Sequence, residues 1–180
     1  MELALLVAVV VAGGGGWWWW RARGLLLRTN RALQGAWQEV EAARRLRHQA
    51  LETFLAQLRS LGLVPQAQPL LAKAIRETAA ASAPRAMAEA DRELRGALAA
   101  AYRGLPRRRP EDLRQAQNAL AEAEDELDLA RWRYNDLVRR WRGLLARRTY
   151  RYLSRRLALK EWEFYLLPGE EPRGSQGSWG

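Results

Sequence analysis

The residue types that carry most enzymatic chemistry are nearly missing from this chain. His48 is the only histidine and there is no cysteine, so a Cys-His nucleophile pair, a thiolate zinc site and a disulfide framework are all excluded. His48 stands beside Arg44, Arg45 and Arg47, and a neighbourhood already filled with cations is a poor place to bind another. It reads as a surface or stacking histidine. The densest run of carboxylates is Glu122, Glu124, Asp125, Glu126 and Asp128. To cage a metal it would need partners converging from other helices, usually with a Glu-x-x-His pair. That pair is absent and Arg131 and Arg133 follow the run, so it reads as a solvated, ion-paired helix face. Gly13 to Gly16 have neither the lysine nor the free backbone that a phosphate-binding loop needs. These exclusions point to a protein that is not an enzyme and uses no cofactor or metal.

What the chain does offer is positive charge next to aromatic rings. Thirty Lys+Arg against 20 Asp+Glu give a formal charge of +10 over 180 residues, enough to favour any polyanion, whether nucleic acid or anionic lipid. Trp17, Trp18, Trp19 and Trp20 run directly into Arg21 and Arg23, the order expected at a membrane interface, where an indole buries its ring and keeps its N–H wet. Near the other end, residues 146–167 alternate Arg148, Arg151, Arg155, Arg156 and Lys160 with Tyr152, Leu153, Leu157, Trp162 and Phe164. Such a segment fits a basic interfacial helix in contact with anionic lipid, or else the last turns of a bundle with a solvated face. Nucleic acid is the competing partner, suggested by PRRRPED and RRTYRYLSRR. Arginines spread through every helix and the lack of a reader motif argue against it.

These groups need elements to position them. Residues 3–20 carry no charge, and as a helix they would span about 27 Å of a ~30 Å hydrocarbon core. A transmembrane anchor is therefore expected at 3–20, with a cleaved signal peptide as the alternative, although its cationic n-region is missing. Arg21, Arg23, Arg28 and Arg31 on one flank predict a cytoplasmic body and a short outside N-terminus. Ala8, Ala12 and Gly16 recur every fourth residue, a small-residue face that gives weak support to a homo-oligomer.

From residue 24 to 167 apolar residues recur every three or four positions, the signature of amphipathic helices packed side by side. Leu33, Trp37, Val40, Leu51, Phe54, Leu58 and Leu61 form the first stripe, interrupted by Arg44 and Arg47, with Ala43, Leu46 and Ala50 suggesting drift around the helix. LGLVPQAQP breaks the chain. A shorter helix carries Leu71, Ala74, Ile75 and Thr78. Ser82 is the expected cap of the next, with Pro84 in its first turn and Met87, Leu94, Leu98 and Ala101 inward. GLPRRRPED is the sharpest boundary, and Glu111 and Asp112 then suit a helix N-terminus. Leu113, Ala116, Leu120, Ala123, Leu127, Ala130, Tyr134, Leu137, Trp141 and Leu144 keep heptad spacing along the last long helix. The expected fold is all-α: the anchor followed by an antiparallel bundle of about four helices, the first and last long. Tyr134 and Asn135, on and beside the seam, are expected to form a buried hydrogen-bonded pair that fixes helix register. Residues 168–180 have no core-forming pattern and read as a disordered tail.

Glu124-Asp125, Leu127, Ala130-Arg131, Tyr134-Asn135 and Val138 form an acidic pair followed by A-R-x-x-Y-N-x-x-V, and Ala36-Trp37, Val40, Glu41, Arg47 and His48 form a second block. In these the chain resembles the LemA family of bacterial membrane-anchored helical proteins, as a divergent member. Gln49 to Thr53 stand where the family has D-L-I-P-N, and Trp141-Arg142 where it has a second Tyr-Asn. The resemblance covers anchor and bundle, and implies a single N-terminal span, a cytoplasmic bundle and a structural role for Trp37, Glu124, Asp125, Arg131, Tyr134 and Asn135. It implies no reaction.

Overall fold

A computed structural model describes the backbone of residues 2–167 and 170, and the side-chain surroundings of residues 14, 16–167 and 170. Among the described residues there are five α-helices and no strand: α1 (Glu2–Ser60), α2 (Gln68–Ala80), α3 (Pro84–Arg103), α4 (Glu111–Leu145) and α5 (Arg148–Arg156). The chain divides into two compact units. A four-helix unit is drawn from residues 36–135 and 163–180, and an α5 unit from residues 1–35 and 136–162. Both α1 and α4 contribute to each.

In the four-helix unit the predicted stripes meet. Leu51, Phe54 and Leu58 of α1, Leu71 and Ile75 of α2, Leu94, Leu98 and Ala101 of α3, and Leu113, Ala116 and Leu120 of α4 make one apolar core, and burial of this kind is what stabilises helices too weak to stand alone. The helices alternate in direction. Arg44 reaches the end of α2 while Leu58 accepts from Gln68 at its start, so α1 and α2 are antiparallel. Arg47 meets Asp91 and Phe54 meets Tyr102, so α1 and α3 run parallel. Trp37 meets Tyr134, while Leu51 to Leu58 of α1 share the core with Leu113 to Leu120 of α4, so α4 is antiparallel to α1.

The helix ends follow backbone chemistry. Leu63 N–H bonds Leu58 O at 2.9 Å and Gly62 N–H bonds Arg59 O at 3.1 Å, with Gly62 in the left-handed region (φ 63°). This six-to-one and five-to-two pattern closes α1. Pro84 does sit in the first turn of α3, but Ala83 is the residue before it and no side chain caps the helix; Ser82 lies one position too early to act as the cap.

Some sequence-based expectations need correction. Leu46 is exposed because Arg44 and Arg47 take the inward positions that drift would have given to it, and Leu61 is exposed because α1 ends at Ser60 and Leu61 falls in the turn that follows. On α4, Val138 is buried while Leu137 and Leu144 are only half-buried; a straight helix gains about 20° per heptad, and the seam passes to the next residue. Residues 146–167 are not one helix: α5 stops at Arg156, and residues 159–167 have no regular secondary structure. Among the described residues no helix is long and apolar enough to cross a membrane. Most of the expected anchor at 3–20 lies outside the residues whose side chains are described, and the described remainder is glycine and tryptophan. The expected tail, apart from Glu170, also lies outside the described residues.

Candidate functional site

α4 presents Arg131, Tyr134 and Asn135 on successive turns of one face, and Glu163, Tyr165 and Glu170 lie against them as a strap. The Tyr134 hydroxyl donates to Glu163 O at 2.6 Å. Asn135 Nδ2 donates to Tyr165 O at 2.8 Å, and its Oδ1 accepts from Tyr165 N–H at 2.9 Å. Arg131 donates to both carboxylate oxygens of Glu170, at 2.6 and 3.1 Å, and also to Asp128 at 3.1 Å. The two-pronged geometry of a guanidinium on a carboxylate makes this the strap's outer clamp. Tyr134 and Asn135 both bind the strap, a role that the periodicity of α4 could not foresee because the strap has no periodicity.

The strap's inner anchor is Tyr165, which is fully buried. Its hydroxyl donates to Asp91 Oδ2 at 2.6 Å, while Asp91 Oδ1 takes Arg47 Nη2. Burial, and after it the Asp91 carboxylate, push the Tyr165 phenol well above its ordinary value of 10, so the phenol keeps its proton and remains a donor. At Glu170, partial burial works against the charge. The hydrogen bonds from Arg131 and from Leu167 N–H outweigh it, and the net pKa lies below the ordinary 4.5. Glu124, half-buried on α4, is raised chiefly by burial, with Arg47 and Arg95 opposing.

Of the motif residues, Arg131, Tyr134 and Asn135 converge on the strap. Trp37 supports them, its ring 5.1 Å from that of Tyr134 and its Nε1 donating to Glu41 at 2.8 Å. Asp125 is exposed and takes no part. Asp91, Tyr165 and Glu170 were not singled out from sequence. The signal available was that Asp91 interrupts the α3 stripe just as Arg47 interrupts that of α1, two misplaced charges of opposite sign. Arg44, the other interruption, donates to Thr78 O and Ala81 O at 2.5 and 2.9 Å, satisfying carbonyls that the end of α2 leaves free. His48 lies beside Glu52 on the next turn. Among the described residues no group of three or more potential ligands converges on a metal position. The groove is built to hold an extended peptide by its backbone, one phenol and one carboxylate.

In the α5 unit, Ala22, Leu26, Leu33, Val138, Trp141, Leu153 and Trp162 are buried, and Trp162 Nε1 donates to Asn30 Oδ1 at 2.9 Å. α5 turns Leu153 and Ser154 inward and leaves Arg148, Arg151, Tyr152, Arg155 and Arg156 exposed. Trp17 to Trp20 are all exposed, Trp20 most of all at 73%. The Trp18 and Tyr150 rings lie 6.2 Å apart, which sets α5 beside the tryptophan row. Arg21 stacks 5.5 Å from the Trp17 ring, and Lys160 sits 4.7 Å from that of Trp162. Arg23 is exposed on the same stretch of α1. No protein-family model matches the chain, and no curated protein matches it significantly.

Proposed function

We propose that this is a non-enzymatic, membrane-anchored helical protein of LemA-like type, an interaction or scaffold protein at the cytoplasmic face of a bacterial membrane. In this reading residues 3–20 are a single span with a short N-terminus outside, and no cofactor takes part. The observation that carries it is the contact between Trp18 and Tyr150. Through it, four exposed indoles and the exposed arginines of α5 share one small unit, and both ask for the same surroundings: a headgroup layer with negative charge. Each basic residue near an anionic leaflet contributes about 1 kcal/mol. Arg148, Arg151 and Arg155 together would then shift partitioning by roughly two orders of magnitude. Supporting a structural role for the LemA-like motif, Arg131, Tyr134 and Asn135 fasten the strap and Trp37 packs on Tyr134, which suits a scaffold better than a catalyst.

The test is flotation of the full chain with vesicles of phosphatidylglycerol and of phosphatidylcholine, alongside protease digestion of sealed and lysed spheroplasts. Flotation with both lipids, stronger with the anionic one and reduced there by Arg148→Gln, Arg151→Gln and Arg155→Gln together, is expected, as is protection of the body in sealed cells. Recovery of the full chain in a detergent-free high-speed supernatant would end the reading. DNA binding that survives moderate salt while vesicle binding fails would replace it with the nucleic-acid alternative.

A further inference from the structure

The strap between α5 and Glu170 has no hydrogen-bonded structure of its own over residues 159–167. Its order is borrowed from other side chains: Trp162 is buried in the α5 unit with its Nε1 on Asn30 Oδ1, and beyond it Asn135 holds the Tyr165 backbone, Tyr134 holds Glu163 O, Asp91 the phenol and Arg131 Glu170. None of these bonds requires strap and groove to belong to the same chain. The link between α5 and the strap is the strained part. Leu159 N–H bonds Ser154 O and Ala158 N–H bonds Arg155 O, both at 3.1 Å, the same closing pattern as at α1. There glycine occupies the left-handed position, whereas here it is an alanine, with φ 47°. An L-residue is disfavoured in that region roughly fivefold or more. Straightening the turn relieves the strain and swings the strap outward, the usual route by which an element is exchanged between identical copies.

We propose that the groove lined by Asp91, Arg131, Tyr134 and Asn135 accepts Glu163, Tyr165 and Glu170 of a second copy in place of its own, so that two copies couple by exchanging straps about Ala158. The groove asks for an extended segment with a phenol and, five residues on, a carboxylate, and a second copy of this chain supplies both. Exchange about Ala158 carries Trp162 along, so its bond to Asn30 is remade on the second copy together with every groove contact, and the balance between closed chain and pair is set by the hinge and by concentration. This holds whether or not the α5 unit meets a membrane.

Two variants test it in the full chain, by light scattering in detergent and by co-purification of differently tagged copies. Arg131→Glu puts like charges between its groove and its own strap, and so does Glu170→Arg. Each variant alone is expected to stay monomeric. A mixture of the two restores both clamps only across copies, and is expected to give a one-to-one dimer. The chain carrying both changes restores the clamp within itself and should behave like the wild type. Ala158→Gly removes the hinge strain, and is expected to weaken wild-type dimerisation by roughly tenfold or more, since two hinges are involved. No dimer in the mixture, equal dimer in either variant alone, or an unchanged constant for Ala158→Gly would each overturn exchange. Should Arg131→Glu fail to fold, the Ala158→Gly comparison still decides.

Discussion

The side-chain amide of Asn135 holds both polar backbone groups of Tyr165, donating to its carbonyl at 2.8 Å and accepting from its N–H at 2.9 Å. One residue on a helix thereby does what a neighbouring strand would do for an extended segment. Only an amide has donor and acceptor at that spacing. Asn135→Asp keeps the acceptor and loses the donor, and should cost about 1–2 kcal/mol of strap docking; Asn135→Leu strands both groups and should cost about 2–4 kcal/mol. The check is hydrogen exchange at the Tyr165 amide, which should lose protection in that order while the α2 and α3 amides keep theirs.

Asp91 is shared between Arg47 and Tyr165, with side-chain exposures of 4% for Asp91 and 11% for Arg47. Removing one charge from such a pair leaves the other buried and uncompensated. Asp91→Asn still accepts from the phenol but abandons Arg47, so it should cost about 3–5 kcal/mol. Arg47→Met alone should also destabilise, and the double variant should cost clearly less than the sum of the two. Urea unfolding of the wild type and the three variants measures the coupling, and additivity would contradict the buried pair.

The long-range order of the helices was legible because apolar spacing reports one thing well, the face a helix turns inward. Leu71, Ile75, Met87, Leu94 and Leu113 are buried as their spacing predicts. Arg44 and Arg47 were visible as interruptions, but not what they interrupt the stripe for, since carbonyls at the end of α2 and a carboxylate on α3 carry no mark in the sequence of α1. The strap escapes a periodic reading for a similar reason. Arg148 to Lys160 alternate with apolar residues in a helical manner, yet the chain leaves the helix at Arg156 because Trp162, Tyr165 and Leu167 are buried one by one along an extended path. Segments whose order is borrowed from another element's side chains have no period to read.

Acid should loosen the strap. The Glu170 carboxylate has a folded pKa below its ordinary 4.5, so its contribution to docking is fully present above that value and is lost as pH falls through the folded pKa. Docking should be level from neutral pH to about pH 5 and weaken below about 4.5. Glu170→Gln should weaken docking at neutral pH and flatten that dependence. The Leu167 amide, which donates to Glu170 at 3.2 Å, gives the readout: its NMR shift should titrate in the wild type and not in the variant.

At one end of the four-helix unit, Gly104 closes α3 directly against Val64 in the loop after α1. A Cβ built on Gly104 overlaps the Val64 side chain, and Val64 itself holds a left-handed backbone (φ 47°). A β-branched residue is a poor occupant of that conformation, so two unfavourable choices depend on each other. Gly104→Ala should destabilise by about 1–3 kcal/mol, since the valine is stiff and its loop must move. Val64→Gly removes both the obstruction and the backbone strain, at the cost of a half-buried side chain, and should be close to neutral on its own. The double variant should recover most of the loss from Gly104→Ala. Thermal unfolding of the three variants checks it: if the double variant is no more stable than Gly104→Ala, the loop, rather than the valine side chain, is what leaves no room beside Gly104.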